Sequence, residues 1–320
     1  MTPVVLVTGA NGFVGSALCQ ALAQSGHIAR AALRSDGPTP PGAAQKVVVG
    51  DISSPAVDWA KALDGVDAVV HAAARAHVLY DSADNDGLYI AANTDATRRL
   101  AEAAVRAGVR RFVYLSSIKV NGEETSGRAY RPDDPPNPQD AYGRSKLLAE
   151  QALLEASSST SVASAIVRPP LVYGPGVRAN FLRLLRWVDG GKPLPLGRVG
   201  NRRSLVSIWN LCDLLVRMLA DPLPTGRVWL VSDGEDLSTP DLIRRMGVAM
   251  GRKAKLLPVP VAMLKAAATL AGKGPEITRL CGSLTVDVSQ TMRELQWSPP
   301  VSVDESLART AAWYSSEVRG

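Results

Sequence analysis

Residues 4–15 read Val4-Val5-Leu6-Val7-Thr8-Gly9-Ala10-Asn11-Gly12-Phe13-Val14-Gly15, an apolar β-branched run that ends in three glycines at a three-residue spacing. A strand followed by a glycine-rich turn and the start of a helix places backbone N–H groups and the positive end of the helix dipole where a pyrophosphate can sit. Glycines let the backbone approach the phosphates and let the helix approach the sheet. Glycine-rich turns also serve purely structural close packing, so the surrounding pattern decides. Short apolar runs alternate with helix-period segments: IARAAL, VVVGD, DAVVHAA, a helix over about 90–107, RFVYLSS, a helix over 140–157 and ASAIVRP. That alternation predicts an α/β fold, a doubly wound parallel sheet covered on both faces, with a helix over about 13–25 after the first strand. The stretches SLVSI and GRVWLVSD read as strands returning to the main sheet. The dinucleotide-binding Rossmann domain is expected to take 1–172 plus about 204–235. A smaller C-terminal α/β substrate domain would take 173–203 plus 236–320.

Composition limits the alternatives. The chain has 320 residues, 46% hydrophobic and 21% charged, a globular balance, and only 5% aromatic, so Ala, Val and Leu must build the core. Its net charge of +6 is spread along the chain without a basic stripe carrying interleaved aromatics, which argues against nucleic acid and suits an anionic small molecule. Cys19, Cys212 and Cys281 are odd in number and far apart, as expected in a reducing, cytoplasmic setting. His27, His71 and His77 fall in no metal-ligand spacing, so no metal is expected. No window is long and apolar enough for a membrane span. Residues 258–272, PVPVAMLKAAATLAG, read as a helix that either packs within the C-terminal domain or rests on a membrane surface.

The second strand ends near Leu33-Arg34, where a carboxylate would accept from both ribose hydroxyls of an NAD adenosine. Arg34 would instead pair with a 2′-phosphate, which favours NADP(H) and leaves NAD(H) possible if Asp36 does the reading. Asp51 can accept from adenine or can be a turn residue. Tyr142 and Lys146 stand at i and i+4 on one helix face, where a cation can lower the phenol pKa toward a working range. Ser116-Ser117 stands at the carboxyl end of a parallel strand, the edge where such sheets bind ligands.

With TGANGFVG, GDI at 50–52, HAAA at 71–74, Asn93-Thr94, LSSIKVNG at 115–122, YGRSK and RPPLVYGPG at 168–176, the sequence resembles the extended short-chain dehydrogenases/reductases that epimerise, dehydrate or reduce nucleotide sugars. The resemblance implies a catalytic Ser117 with Ser116 as the fallback, a proton-transferring Tyr142, and Lys146 as the group that tunes it and holds the nicotinamide ribose. Together with the residue reading of Arg34, it places cofactor contacts at Gly9, Asn11, Gly12, Phe13, Val14, Gly15, Arg34, Asp51, Ile52, Ala72, Ala73, Ala74, Asn93, Ser116, Tyr142, Lys146 and Pro169. Substrate contacts fall on Ser117, Lys119, Tyr142, Asn180 and Arg203, with a helix N-cap as the other reading of Asn180 and a surface charge as that of Arg203. It also implies a homodimer through helices 90–107 and 140–157.

Two departures shape the expected reaction. The acidic residue usual after the second strand of the 4-epimerases is replaced by Leu33-Arg34, and the motif Arg168-Pro169-Pro170-Leu171 lacks their usual Asn. The leading expectation is therefore NADPH-dependent reduction of the C4 keto group of a nucleotide sugar, a UDP-4-keto-6-deoxy-N-acetylhexosamine, for surface polysaccharide. The alternative is a UDP-hexose or UDP-N-acetylhexosamine 4-epimerase holding NAD tightly. A non-catalytic cofactor-binding protein on the same fold is the second alternative. A 4,6-dehydratase is disfavoured, because the dipeptide after the serine is Ile118-Lys119 rather than an acidic pair.

Overall fold

Short β-branched strands buried on both faces form the centre of the molecule, as their unbroken apolar character requires. In the computed structural model, which describes residues 2–76, 86–220, 224–270, 272 and 274–318, the chain begins with β1 (Val4–Thr8), α1 (Phe13–Gln24), β2 (Ile28–Leu33), β3 (Ala43–Val48), α2 (Trp59–Leu63) and β4 (Ala68–His71). His77 lies outside the described residues. Then come α3 (Asp86–Tyr89), α4 (Ala96–Arg106), β5 (Arg111–Leu115), α5 (Ala141–Ser157), β6 (Ala163–Arg168), β7 (Leu171–Tyr173), α6 (Ala179–Asp189), β8 (Arg203–Ser207), α7 (Ile208–Arg217) and β9 (Arg227–Leu230). The chain closes with β10 (Asp236–Leu237), α8 (Thr239–Ala249), α9 (Val261–Leu270), α10 (Gly274–Cys281), α11 (Ser289–Glu294) and α12 (Val303–Glu317).

Seven strands form the main sheet in the order β3-β2-β1-β4-β5-β6-β9, all parallel, so the sheet is doubly wound and the order in which strands are added reverses between β1 and β4. Ligands of such sheets sit outside the strand carboxyl ends at that switch point. One face is packed by α1 and α7 against Val5, Val7 and Leu33. The other is packed by α2, α4 and α5 against Leu6, Val69 and Phe112. Alternate residues of β1 thus serve opposite layers, and burying each such side chain contributes roughly 1.5–3 kcal/mol.

Residues 203–207 do not return to the main sheet. They form β8, paired antiparallel with β10 and parallel with β7, in a separate three-stranded sheet. Apolar alternation predicted a strand there but carries no information about its partner. The helix expected over 90–107 is also irregular: residues 90–95 form a π-turn between α3 and α4. The loop at 122–140 is clamped to the C-terminal region, since Thr125 N donates to Ser283 O at 2.8 Å and Tyr130 N to Thr285 O at 2.9 Å.

One buried relay joins the switch-point strands. Thr8 and His71 are register partners in β1 and β4. Thr97 Oγ1 donates to the Asn93 carbonyl at 2.6 Å, so it accepts from His71 Nε2 at 3.0 Å. His71 Nδ1 is then the acceptor from Thr8 Oγ1 at 2.6 Å, and Thr8 Oγ1 accepts from Ala73 N at 3.1 Å. His71 is fully buried, and burial, reinforced by the charge of Lys146, pulls its pKa from the usual 6.5 down to about 3. A base whose folded pKa is depressed is protonated first in the unfolded chain, so stability falls as pH drops below about 6.5. Between pH 7.5 and pH 5 His71 should remove about 2 kcal/mol. Thermal unfolding across that range should show the loss, and His71→Gln should flatten the slope; equal slopes would refute the assignment.

Candidate active site

The glycine turn sits at the switch point. Gly9 adopts φ of +67°, and a Cβ there would lie 2.8 Å from Ala73 N in the loop after β4. A Cβ on Gly15 would lie 2.1 Å from the Gly9 carbonyl oxygen, so only glycine lets α1 come this close to the turn. Gly12 N donates to Gly9 O at 2.8 Å, closing the turn and leaving the first-turn amides of Phe13, Val14 and Gly15 without helical partners. Gly12 stands at the N-cap with no capping side chain, and Asn11 beside it is exposed. The arrangement is a cradle for an anion, with Ala72, Ala73 and Ala74 as its small-residue wall across the sheet.

The groups expected to read the adenosine are arranged differently from the sequence expectation. Arg34 Nη2 donates to Asp51 Oδ2 at 2.6 Å, so these two exposed residues hold each other. Hydrogen bonds from Ser53, with the charge of Arg34 contributing, hold the Asp51 carboxyl below its usual range. Asp36 is paired with Lys46 at 2.7 Å. Beside Asp51, Ile52 offers its carbonyl to Arg99 at 2.9 Å, which fixes the loop to α4.

At the end of β5 the two serines separate. Ser116 is buried and its hydroxyl donates to Glu150 Oε1. Ser117 instead caps the following turn, its Oγ accepting from Lys119 N at 3.2 Å, and stands by the Tyr142 phenol, whose pKa it lowers by hydrogen bonding. Asp140 caps α5 through a 2.7 Å bond from Gly143 N, and a Cβ on Gly143 would lie 2.9 Å from Lys119 O. A close cap and a glycine therefore bring the first turn of α5, with Tyr142, against the turn that follows Ser117.

Lys146, one helical turn further on, is buried; its Nζ donates to Leu115 O at 2.6 Å and lies 4.2 Å from the centre of the Tyr114 ring. Burial pulls its pKa down to about 7, with Glu150 partly opposing. Burial pushes the Tyr142 phenol up to about 12, Asp140 adds to the rise, and the bond with Ser117 works against it. The expected lowering of the phenol by Lys146 is thus not a property of the chain alone, because desolvation and the charge of Asp140 outweigh the bond with Ser117.

Five expected contact residues already have partners within the chain. Asn93 accepts from Arg75 N at 2.8 Å and donates to Ser145 Oγ at 2.9 Å, so its amide ties the loop after β4 to α5. Lys119 is held by Glu123 at 2.7 Å and Asp140 at 2.5 Å. Asn180 is exposed and accepts from Arg183 at 3.0 Å; the N-cap of α6 is Arg178. Arg203 Nη1 donates to Arg279 O at 2.7 Å and Gly282 O at 3.1 Å, carbonyls at the end of α10. Pro169 is buried and its carbonyl accepts from Ile118 N at 3.0 Å, joining β6 to the serine turn.

Sequence reasoning missed the support beneath this turn. Arg168 and Glu150, both buried, pair through Nε–Oε1 at 2.9 Å and Nη2–Oε2 at 2.6 Å, while Arg168 Nη1 donates to Asn121 Oδ1 at 2.9 Å. The available signal was Glu150 four residues after Lys146, on the same helix face. Among the described residues no group of three or more His, Cys, Asp or Glu could hold a metal ion, and no helix is long and apolar enough to cross a membrane.

The chain is 42% identical over 315 residues to a UDP-glucose 4-epimerase of Vibrio cholerae, covering 97% of this chain and 95% of that protein. Its fold matches MoeE5 in complex with UDP-glucuronic acid and NAD at a TM-score of 0.78 and 27% identity, over 97% of this chain and 98% of that one. It matches the UDP-glucuronic acid 4-epimerase from Bacillus cereus in complex with NAD at a TM-score of 0.77 and 26% identity, over 98% of each. Residues 5–232 match the family model described as NAD dependent epimerase/dehydratase, and the chain is an enzyme that belongs to that family.

Proposed function

We propose that the protein is a UDP-sugar 4-epimerase that retains NAD. The observation that carries the reading is the Ser117–Tyr142 couple at the carboxyl edge of β5, one helical turn from buried Lys146. It is supported by the 42% identical 4-epimerase and by structural neighbours whose titles name UDP-sugars and NAD. The glycine cradle fits the pyrophosphate, since its walls stand where any Cβ would collide. The first turn of α1 would hold that pyrophosphate and Lys146 the nicotinamide ribose. When bound, an oxidised nicotinamide supplies a hydride acceptor and positive charge beside the phenol. Tyr142 would take the proton of the sugar 4-hydroxyl and later return it, while Ser117 holds the same oxygen. Arg203 is the proposed diphosphate contact, its guanidinium being oriented by the end of α10. The UDP-sugar would lie between the main sheet and the three-stranded sheet, with 203–207 assigned to the sugar-binding side. We also propose a homodimer through α4 and α5, whose outer flank exposes Leu148.

This reading replaces the 4-keto reductase as the leading one. The reductase stays as a second reading because of one observation: the end of β2 offers Arg34, 79% exposed, and no carboxylate of its own. A 2′-phosphate would have to take Arg34 from Asp51. The deciding experiment measures nicotinamide in the purified protein and then follows UDP-glucose, UDP-galactose and their N-acetyl derivatives by NMR without added cofactor. Retained NAD and interconversion of the C4 epimers are expected. No epimerisation, with stoichiometric NADPH consumption on a 4-keto sugar, would overturn the proposal in favour of the reductase.

A further inference from the structure

The helix over 261–270 has two apolar faces, and the fold uses only one. Leu264 and Ala268 pack inward, with Val261 partly buried beside them. Met263, Ala266, Ala267 and Leu270, at i, i+3, i+4 and i+7, form a second stripe that is exposed, with Met263 at 63% and Leu270 at 91%. The stripe is extended by Leu257, Pro258 and Pro260, all exposed, in the segment leading into the helix. An apolar patch of this continuity on a charged protein marks an interaction surface.

Charge identifies the occupant. Residues 242–275 contain seven Lys and Arg and no Asp or Glu. Arg244, Arg245 and Arg252 have carboxylate partners. Lys253, Lys255 and Lys265 are exposed and, among the described residues, none is in an ion pair. Lys255 and Leu257 are held in place by Leu194, through 2.8 Å bonds in each direction, so the cations and the stripe sit on a fixed framework. We propose that this surface docks on an anionic phospholipid bilayer, the apolar stripe entering the headgroup boundary and Lys253 and Lys255 meeting lipid phosphates. A second copy of the chain is the poorer occupant, because a twofold contact would set the same unpaired lysines against each other.

The test is co-sedimentation of the full chain with vesicles of phosphatidylcholine alone and of phosphatidylcholine with 30% phosphatidylglycerol. Binding to the anionic vesicles alone, weakening with salt, is expected. Lys253→Ala/Lys255→Ala should weaken it about 30-fold. Met263→Ser/Leu270→Ser should weaken it about tenfold or more, and both variants should keep the wild-type thermal midpoint because all four side chains are exposed. No binding, equal binding to neutral vesicles, or unchanged binding of either variant would overturn the proposal. So would light scattering that shows the stripe holding two copies together. None of these outcomes bears on the reaction, which is read from the cleft.

Discussion

Tyr142→Phe is expected to lower turnover by about 10²–10⁴-fold while leaving the bound nicotinamide and the fold unchanged. The substitution removes one oxygen and retains the ring, which packs edge-on against Tyr89 at 6.3 Å between centroids. That oxygen is the one placed with Ser117 at the end of β5, while Lys146 beside it is held on Leu115 O. Ser116 is committed to Glu150 and Lys119 to two carboxylates, so neither can replace it. The pH profile gives a second readout. A phenol held at about 12 by burial is almost wholly protonated near neutrality, so little phenolate is present to accept a proton and activity should fall as pH drops. Cofactor charge should bring that limb to lower pH in the loaded enzyme, and Tyr142→Phe should abolish it. Near-normal turnover of the variant, or an unchanged limb, would assign proton transfer elsewhere. Loss of bound nicotinamide would show instead that Tyr142 holds the dinucleotide.

What the sequence disclosed follows from the range over which each signal acts. The glycine turn was legible because Gly9 and Gly15 are dictated by backbone collisions within a few residues and across one neighbouring strand. Tyr142 and Lys146 were legible because a helix converts a four-residue spacing into one face. The partner of Arg34 was not, since Asp51 reaches it only after β2 and β3 pair side by side. Asn93 carried a recognisable motif but not its role, because the bond to Ser145 spans 52 residues and depends on a π-turn. Strand 203–207 was recognised as a strand and assigned to the wrong sheet, which is a matter of register with β7 and β10. The lowering of the Tyr142 phenol expected from Lys146 four residues away is not what the fold gives, because burial, not proximity in sequence, sets the larger effect.

Glu150→Ala should be the most destabilising single change beneath the site. It would leave the Arg168 guanidinium, 3% exposed, with Asn121 Oδ1 as its remaining side-chain acceptor. Removing one partner of a buried ion pair costs about 3–5 kcal/mol, because the other charge stays in a low-dielectric interior. A fall in thermal midpoint of about 10 °C is the corresponding scale. Glu150→Leu/Arg168→Met should recover most of the loss, since the desolvation cost disappears with the pair. Stability and catalysis then separate. The double variant still frees the Ser116 hydroxyl and Asn121, which anchor both ends of the turn carrying Ser117. It also removes the carboxylate that raises the Lys146 pKa, so that group should titrate below about 7. Turnover of the restabilised variant should therefore stay low, with its pH dependence shifted. If the double variant recovers both midpoint and wild-type turnover, the Glu150–Arg168 pair is a packing element alone and the serine turn holds its own position.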